Sequence, residues 1–158
     1  MNILFVCRYN RFRSRIAEAY FKKINKNRDI KVKSAGLMKG QPLSKFTVKI
    51  AKNIGLNIKG KVQGLSSELM VWQNITVVVA DNVPPQVFNK NKKYGKKVII
   101  WKIKDAKYRK EGEVKRLVKI IMDRVDKLNR DLEKGKNKME LVMVENGDLK
   151  NPTMAKGK

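Results

Sequence analysis

"MNILFVCRYNRFRSRIAEA", residues 1–19, joins a short apolar run to a strongly basic segment at the only cysteine of the chain. The apolar run, Ile3 to Val6, predicts a buried β-strand because it is short and ends in polar residues. The apolar residues after Ser14 recur at helical spacing, which predicts a helix with Ser14 as its N-cap. Cys7 therefore lies where a strand passes into a helix, and Arg13 lies at the end of the same connection.

Alternating strands and helices continue along the chain and predict its fold class. Three further strands are predicted at Ile30 to Ser34, Ile75 to Val79 and Lys97 to Trp101. Three further helices are predicted at Leu43 to Ile54, Ser66 to Trp72 and Glu113 to Glu133. This order favours an α/β fold, a single doubly wound, flavodoxin-like domain with a four-stranded parallel sheet and helices on both faces. Sites of such folds lie at the carboxyl ends of the strands, and Cys7 lies at one of these ends.

The chain of 158 residues is long enough for one core of ordinary size. We expect the folded domain to span residues 1–134. Residues 135–158 are rich in Lys, Asn and Gly around one apolar patch, Leu141 to Val144. They are predicted to form a basic C-terminal extension, either an edge strand or a partly ordered tail.

Positive charge dominates the composition, with 38 Lys and Arg against 14 Asp and Glu and a net charge of +24. Such an excess attracts polyanions without selecting one, so nucleic acid is expected to bind only through non-specific charge. A single cysteine excludes an internal disulfide and with it a secreted disulfide scaffold. No apolar run reaches the ~20 residues that span a bilayer, and no signal peptide is recognisable. We therefore expect a cytoplasmic protein without a membrane partner.

The connection between Cys7 and Ser14 has the composition of an anion-binding loop. A loop of this length can turn its backbone N–H groups toward one anion, and the following helix adds the positive end of its dipole. The same field stabilises a thiolate, which makes Cys7 a candidate nucleophile. Arg13 offers a planar guanidinium that matches two phosphate oxygens. The pattern therefore indicates chemistry on a phosphate ester.

The sequence resembles the low-molecular-weight protein tyrosine phosphatases and their arsenate reductase relatives. Their loop reads C-x-G-N-x-x-R-S, commonly followed by P-x-A-E, and "CRYNRFRSRIAEA" keeps most of these positions. Further matches follow in "VKSAG", "IAKNIGLNI", "TVVVADNVPPQVF" and "IWKIKDAKY". The last of these places Asp105 on the family's catalytic aspartate. The resemblance covers residues 2–132.

This resemblance implies a cysteine-dependent phosphatase that hydrolyses phosphate monoesters, above all protein phosphotyrosine, through a cysteinyl-phosphate intermediate. Its catalytic residues would be Cys7 as nucleophile, Arg13 as phosphate clamp and Asp105 as general acid and base. The phosphate-binding loop would also contain Arg8, Tyr9, Asn10, Arg11, Phe12 and Ser14. Ser14 would hydrogen-bond the thiolate, and Asn10 would hold the loop in a left-handed conformation. The partner would be a phosphorylated protein or a small phosphate ester, and no metal or organic cofactor is expected.

Several positions depart from the family pattern. Tyr9 replaces the loop glycine, Phe12 the frequent second cysteine and Arg15 the proline. A positive φ or a close backbone approach at the glycine position would make Tyr9 strain the loop. Arg8 and Arg11 stand where apolar residues often line the crevice. These arginines predict a cationic mouth that suits a ligand with extra negative charge near its phosphate.

Alternatives remain open from the residues alone. Asp81 also follows a strong strand and competes with Asp105 for the role of acid. An arsenate reductase would need external thiols to complete its cycle, because no resolving cysteine accompanies Cys7. A non-catalytic binder of phosphate or nucleic acid on a degenerate phosphatase scaffold is the third hypothesis.

Overall fold

One parallel sheet forms the centre of the structure, a computed structural model that describes residues 1–106 and 110–135. Its strands are β1 (Asn2–Cys7), β2 (Lys31–Gly36), β3 (Ile75–Val79) and β4 (Lys97–Trp101). They lie in the order β2-β1-β3-β4, and every neighbouring pair is parallel. Cys7 is in register with Gly36 at the carboxyl end of the sheet. The central strands β1 and β3 are apolar and almost entirely buried, as expected for strands covered on both faces.

Helices cover both faces of this sheet. They are α1 (Arg13–Ile24), α2 (Lys45–Asn53), α3 (Ser67–Trp72), α4 (Asn89–Lys93) and α5 (Glu111–Lys134), with a 3₁₀ turn at Pro85–Phe88. One apolar cluster joins the sheet to α1, α2 and α5, and a second joins its other face to α3 and the 3₁₀ turn. The prediction of a doubly wound α/β fold with a four-stranded parallel sheet is confirmed.

The long helix α5 secures the helix on which the predicted site is built. Its predicted apolar stripe is buried at every position, namely Val114, Leu117, Val118, Ile121, Val125, Leu128 and Leu132. Burial of side chains of this size contributes about 1.5–3 kcal/mol each relative to exposure. A hydrogen bond from the Tyr20 hydroxyl to Asp126 Oδ1, 2.7 Å long, ties α1 to α5. Helix α1 is therefore attached to α5 through the second half of its length.

The start of α1 differs from the prediction. The helix begins at Arg13, its N-cap position is Phe12, and no side chain caps it. Ser14 was expected at the N-cap but lies inside the first turn, where its hydroxyl is 3.0 Å from Cys7 Sγ. The prediction was wrong because this hydroxyl is engaged with the thiol and with a neighbouring side chain rather than with the backbone of the helix.

The predicted domain boundary after residue 134 stays a prediction. Helix α5 ends at Lys134, the last residue of the predicted domain. The predicted basic extension, beyond Gly135, lies outside the described residues, and so do residues 107–109, which include the last two residues of "IWKIKDAKY". Within residues 1–106 and 110–135, no helix is both long enough and apolar enough to cross a membrane.

Candidate active site

The thiol of Cys7 lies at the carboxyl end of β1, a central strand of the sheet. Cys7 is buried, with only 2% of its surface exposed. The chain then turns through residues 8–12 and enters α1 at Arg13, so residues 7–14 form the predicted loop, which we call the phosphate loop. The Cys7 carbonyl accepts a hydrogen bond of 2.8 Å from Leu37 N, and that of Arg8 accepts one of 3.1 Å from Met38 N. The segment after β2 thereby holds the start of the phosphate loop.

The backbone of the phosphate loop explains how it accommodates Tyr9. Asn10 has φ of +60°, and no other residue except glycine has positive φ in the described part of the chain. The left-handed conformation expected of Asn10 is therefore confirmed. Tyr9 itself does not adopt positive φ, and the residue is 39% exposed, so the strain expected from a positive φ at this position is absent. The loop needs no glycine at position 9 because the left-handed residue is its neighbour.

A chain of hydrogen bonds connects the thiol to a carboxylate on α1. The amide of Asn10 donates to Ser14 Oγ, at 2.9 Å, and to Ser34 Oγ, at 3.0 Å. The hydroxyl of Ser34 donates in turn to Glu18 Oε1, at 2.5 Å. Asn10, Ser14 and Ser34 are all buried, so these bonds lie in a low-dielectric region where an unpaired group would be costly.

The direction of these bonds is determined at the carboxylate end. Glu18, when ionised, can only accept, so Ser34 must donate to it and can accept from Asn10. Asn10 then uses its amide hydrogens on both serines. Ser14 accepts one of them, which leaves its own O–H free to point to Cys7. The arrangement supplies a hydroxyl donor to a thiolate at Cys7, whereas the neutral thiol can donate to the same oxygen.

A second group of contacts fixes the amide of Asn10 from the opposite side. Gln63 N donates to Asn10 Oδ1 at 3.0 Å, and Gln63 O accepts from Gly36 N at 2.8 Å. Arg15, which stands where the family usually has proline, is buried and donates to the carbonyls of Lys59 and Lys61. The guanidinium of Arg15 thus anchors the segment that leads to Gln63. No sequence pattern indicated this role of Arg15.

Arg13 is the largest side chain buried at this end of the sheet, with 1% exposure. Its Nη1 donates to Ile103 O at 2.8 Å, and its Nη2 donates to Asn82 Oδ1 at 3.1 Å. Two carboxylates flank it: Asp81 Oδ1 is 3.7 Å from Nη1, and Asp105 Oδ2 is 3.5 Å from Nη2. The structure therefore brings both candidate acids to the same guanidinium. Asn82 is a contact that sequence reasoning missed.

A cavity of about 280 Å³ opens above the thiol. The predicted residues that line it are Cys7, Tyr9, Arg11, Phe12, Arg13 and Asp105. Its remaining lining comes from Phe46 and Thr47 of α2, from Val114 of α5 and from Ala106. The side chain of Ser44 caps α2 by accepting from Thr47 N, which fixes the turn that presents Phe46. Three of the predicted loop residues, Arg8, Asn10 and Ser14, lie beside the cavity rather than in its wall.

The outer arginines of the phosphate loop are held by backbone carbonyls. Arg8 Nη1 donates to Asn82 O at 3.1 Å, and its guanidinium lies 5.6 Å from the centre of the Tyr9 ring. Arg11 donates to Pro42 O through both Nε, at 3.1 Å, and Nη2, at 2.8 Å. Of the two guanidinium groups, that of Arg11 belongs to a residue that lines the cavity, whereas that of Arg8 is held against Asn82 and Tyr9.

Close backbone packing at Gly36 gives a testable prediction for the integrity of the loop. A Cβ at this position would lie 2.5 Å from Met38 O, 2.6 Å from Tyr9 C and 2.8 Å from Asn10 N. Because all three contacts are with backbone, Gly36→Ala must displace the phosphate loop. We expect the free energy of unfolding to fall by about 1–3 kcal/mol and phosphatase activity to fall with it.

Gly112→Ala is the matched control for this substitution. Apart from its chain neighbours and the backbone of its own helix, no atom of the described residues lies within 4 Å of a Cβ at Gly112 in the first turn of α5. Alanine there is expected to raise the free energy of unfolding by up to about 0.5 kcal/mol. Urea denaturation of both variants, with an activity assay, measures the contrast. Equal stability of Gly36→Ala and wild type would show that the loop is not packed as described.

Solved structures of several phosphatases and reductases share this architecture. The arginine phosphatase YwlE from Geobacillus stearothermophilus is 19% identical, with a TM-score of 0.74, covering 85% of this chain and 94% of its own. A protein tyrosine phosphatase from Entamoeba histolytica is 25% identical, with a TM-score of 0.71 and coverage of 86% and 99%. An arsenate reductase from Archaeoglobus fulgidus is 26% identical, with a TM-score of 0.64 and coverage of 80% and 98%.

Comparison at the level of sequence identifies the family. No curated protein matches the chain significantly. A model of the family described as low molecular weight phosphotyrosine protein phosphatase matches residues 2–138, and this range includes the phosphate loop and Asp105. The resemblance inferred from the sequence is thus confirmed, and it extends over most of the chain. The protein is a cysteine-based phosphatase, and the chain belongs to the low molecular weight phosphotyrosine protein phosphatase family.

Proposed function

We propose that the protein hydrolyses phosphotyrosine in proteins, with Cys7 as nucleophile, Arg13 as phosphate clamp and Asp105 as general acid and base. The observation that carries this proposal is the cavity, where Cys7 and Arg13 share a wall with the aromatic rings of Tyr9, Phe12 and Phe46. A phosphate group reaching the thiol would leave its attached ring among these side chains. Aromatic pairs of this kind contribute about 0.5–1.5 kcal/mol beyond the area they bury.

The first chemical step would be attack of the Cys7 thiolate on phosphorus. The S–P bond forms as the bond between phosphorus and the tyrosine oxygen breaks, and the proton of Asp105 passes to the departing phenolate oxygen. The hydroxyl of Ser14, 3.0 Å from Sγ, would stabilise the thiolate before attack and after release. Water then attacks the cysteinyl phosphate while the Asp105 carboxylate takes its proton. Inorganic phosphate leaves and the thiolate is restored.

Cavity geometry favours Asp105 over Asp81 as the acid. Both carboxylates lie close to Arg13, but only Asp105 is among the residues that line the cavity. Its Oδ1 accepts from Ala106 N at 2.9 Å, which orients the carboxylate beside the cavity. A bound phosphate would compete with both carboxylates for Arg13. Asp105 would then be available for proton transfer at the leaving oxygen.

Arg13→Lys is expected to lower kcat/KM by about 10²-fold or more, although the charge is kept. An ammonium group cannot replace a planar guanidinium that binds two phosphate oxygens at once. Steady-state assays on phosphotyrosine peptide and nitrophenyl phosphate measure the loss. Arg28→Lys, at an exposed position at the opposite end of the sheet, is the matched control and should retain wild-type kinetics. A nearly unchanged kcat/KM in Arg13→Lys would rule out the clamp role.

Phosphotyrosine suits this cavity better than phosphoarginine. The side chain of phosphoarginine carries a cationic guanidinium, which would have to approach Arg11 in the cavity wall. Like charges at short range repel. The aromatic wall formed by Tyr9, Phe12 and Phe46 also matches a planar neutral ring. These considerations support phosphotyrosine as the substrate, although YwlE of the same fold is an arginine phosphatase.

The single cysteine argues against arsenate reduction and bears on the location of the protein. Release of reduced arsenic from a cysteine adduct requires further thiols, and this sequence has none besides Cys7. A neighbouring cysteine could protect the nucleophile from irreversible oxidation by forming a disulfide with it. Without one, Cys7 needs a reducing environment to stay a thiol. These points support a cytoplasmic location for the proposed activity.

A direct comparison of substrates tests the proposal. Wild-type protein is assayed with a phosphotyrosine peptide, with the same peptide carrying phosphoarginine, and with arsenate plus glutathione or thioredoxin. We expect kcat/KM for hydrolysis of the phosphotyrosine peptide to exceed kcat/KM for hydrolysis of the phosphoarginine peptide and for reduction of arsenate. A higher kcat/KM on the phosphoarginine peptide, or thiol-dependent arsenate reduction without phosphatase activity, would contradict the assignment.

A further inference from the structure

Arg11 lies in the wall of the cavity, where its guanidinium is bonded to the backbone. Its Nε and Nη2 both donate to Pro42 O, so the plane of the guanidinium is fixed by two bonds to one carbonyl. The segment after β2 also packs against its stem, because a Cβ on Gly40 would lie 3.0 Å from Arg11 Cδ. Because the side chain is already held in one orientation, it loses less conformational entropy when a ligand binds.

The charge of Arg11 is not neutralised within the described residues. Arg13 has two carboxylates within 4 Å, whereas Arg11 has none in residues 1–106 and 110–135. A guanidinium has five N–H groups, and the two bonds to Pro42 leave three of them without a protein partner in this part of the chain. Asp105, the carboxylate in the same cavity, lies beside Arg13 instead.

We propose that Arg11 is a secondary anion subsite, and that the substrate is a phosphotyrosine flanked by acidic residues. This inference rests on the proposed phosphotyrosine phosphatase activity. While Arg13 and the backbone of the phosphate loop bind the phosphate, the remaining N–H groups of Arg11 donate hydrogen bonds to the carboxylate of a residue next to the phosphotyrosine. A guanidinium fork binds a carboxylate through two parallel hydrogen bonds, which gives direction as well as attraction.

The cavity favours an acidic peptide over a phosphorylated nucleic acid end. A guanidinium alone would bind either a carboxylate or a phosphodiester. The walls around it are aromatic or aliphatic at Tyr9, Phe12, Phe46 and Val114, and they match the ring of phosphotyrosine better than a hydroxylated sugar. A terminal nucleotide would place its ribose among these side chains.

The test uses three probes with the full-length protein. Two phosphotyrosine peptides differ only in having Glu or Gln on both sides of the phosphotyrosine, and the third probe is a 5′-phosphorylated oligonucleotide. We expect kcat/KM for the acidic peptide to exceed that for the neutral one by about five- to tenfold at low salt. This ratio should fall as ionic strength rises. Hydrolysis of the oligonucleotide in preference to both peptides would overturn the proposal.

Variants of Arg11 are judged by the same ratio rather than by absolute rate, since this residue belongs to the phosphate loop. Arg11→Met keeps most of the stem and should lower the ratio to about one, whereas Arg11→Lys keeps the charge and should give an intermediate ratio. The control Arg28→Met should leave the ratio unchanged. A ratio of one in wild type, or an unchanged ratio in Arg11→Met, would overturn the proposal alone. Absence of hydrolysis on every phosphotyrosine peptide would overturn the proposed function with it.

Discussion

Cys7→Ser is expected to lower turnover of every phosphate ester by about 10⁴-fold or more. A serine hydroxyl is similar in size and can keep the contact with Ser14, but it is not ionised at neutral pH and is a far weaker nucleophile than a thiolate. The buried loop and its hydrogen bonds should therefore survive while chemistry is lost. The measurement is steady-state release of phosphate from nitrophenyl phosphate and from a phosphotyrosine peptide, with circular dichroism to establish that the variant is folded.

Covalent trapping separates this role of Cys7 from simple phosphate binding. Wild-type protein mixed with ³²P-labelled substrate and quenched in acid should carry label on Cys7, whereas Cys7→Ala should carry none. Cys7→Ala lacks any nucleophile at this position, so it also controls for slow reaction of the introduced serine. Hydrolysis by Cys7→Ala at the wild-type rate would show that another group attacks phosphorus.

Local patterns were sufficient to predict the sheet. The run from Ile75 to Val79 is continuously apolar or β-branched, and its burial at every position agrees with a central strand. The stripe along α5 was equally clear, because seven apolar residues recur at helical spacing and all are buried. These features depend on periodicity alone, and burial of the same side chains determines the packing of the sheet and helices.

Parts of the site depend on contacts that no local pattern encodes. Phe46 and Val114 reach the cavity from α2 and α5, and their approach is fixed by the packing of those helices rather than by a motif. Ser14 was predicted to cap α1 because capping is the usual role of a serine before a helix, but the buried thiol and the amide of Asn10 compete for its hydroxyl. Asn82 contacts Arg13 only because β3 ends beside the phosphate loop.

The role of Asp105 leads to a prediction that depends on the leaving group. Expulsion of phenolate from phosphotyrosine is slow without a proton donor, so Asp105→Asn is expected to lower kcat on this substrate by about 10²- to 10⁴-fold. An acidic leaving group such as nitrophenolate needs little protonation. Phosphorylation of Cys7 by nitrophenyl phosphate should therefore be affected less, as measured by the burst of nitrophenolate in rapid-mixing experiments.

Asp81→Asn provides the comparison that assigns the acid. Asp81 lies 3.7 Å from Arg13 and Asp105 lies 3.5 Å from it, so either substitution removes one carboxylate from beside the same guanidinium. A loss of activity common to both variants, and equal for good and poor leaving groups, would thus report the altered surroundings of Arg13. Dependence on the leaving group reports proton transfer and should occur only in Asp105→Asn, because only Asp105 lines the cavity. If Asp81→Asn alone showed this dependence, the acid would be Asp81, and the carboxylate of Asp105 would serve only to pair with Arg13.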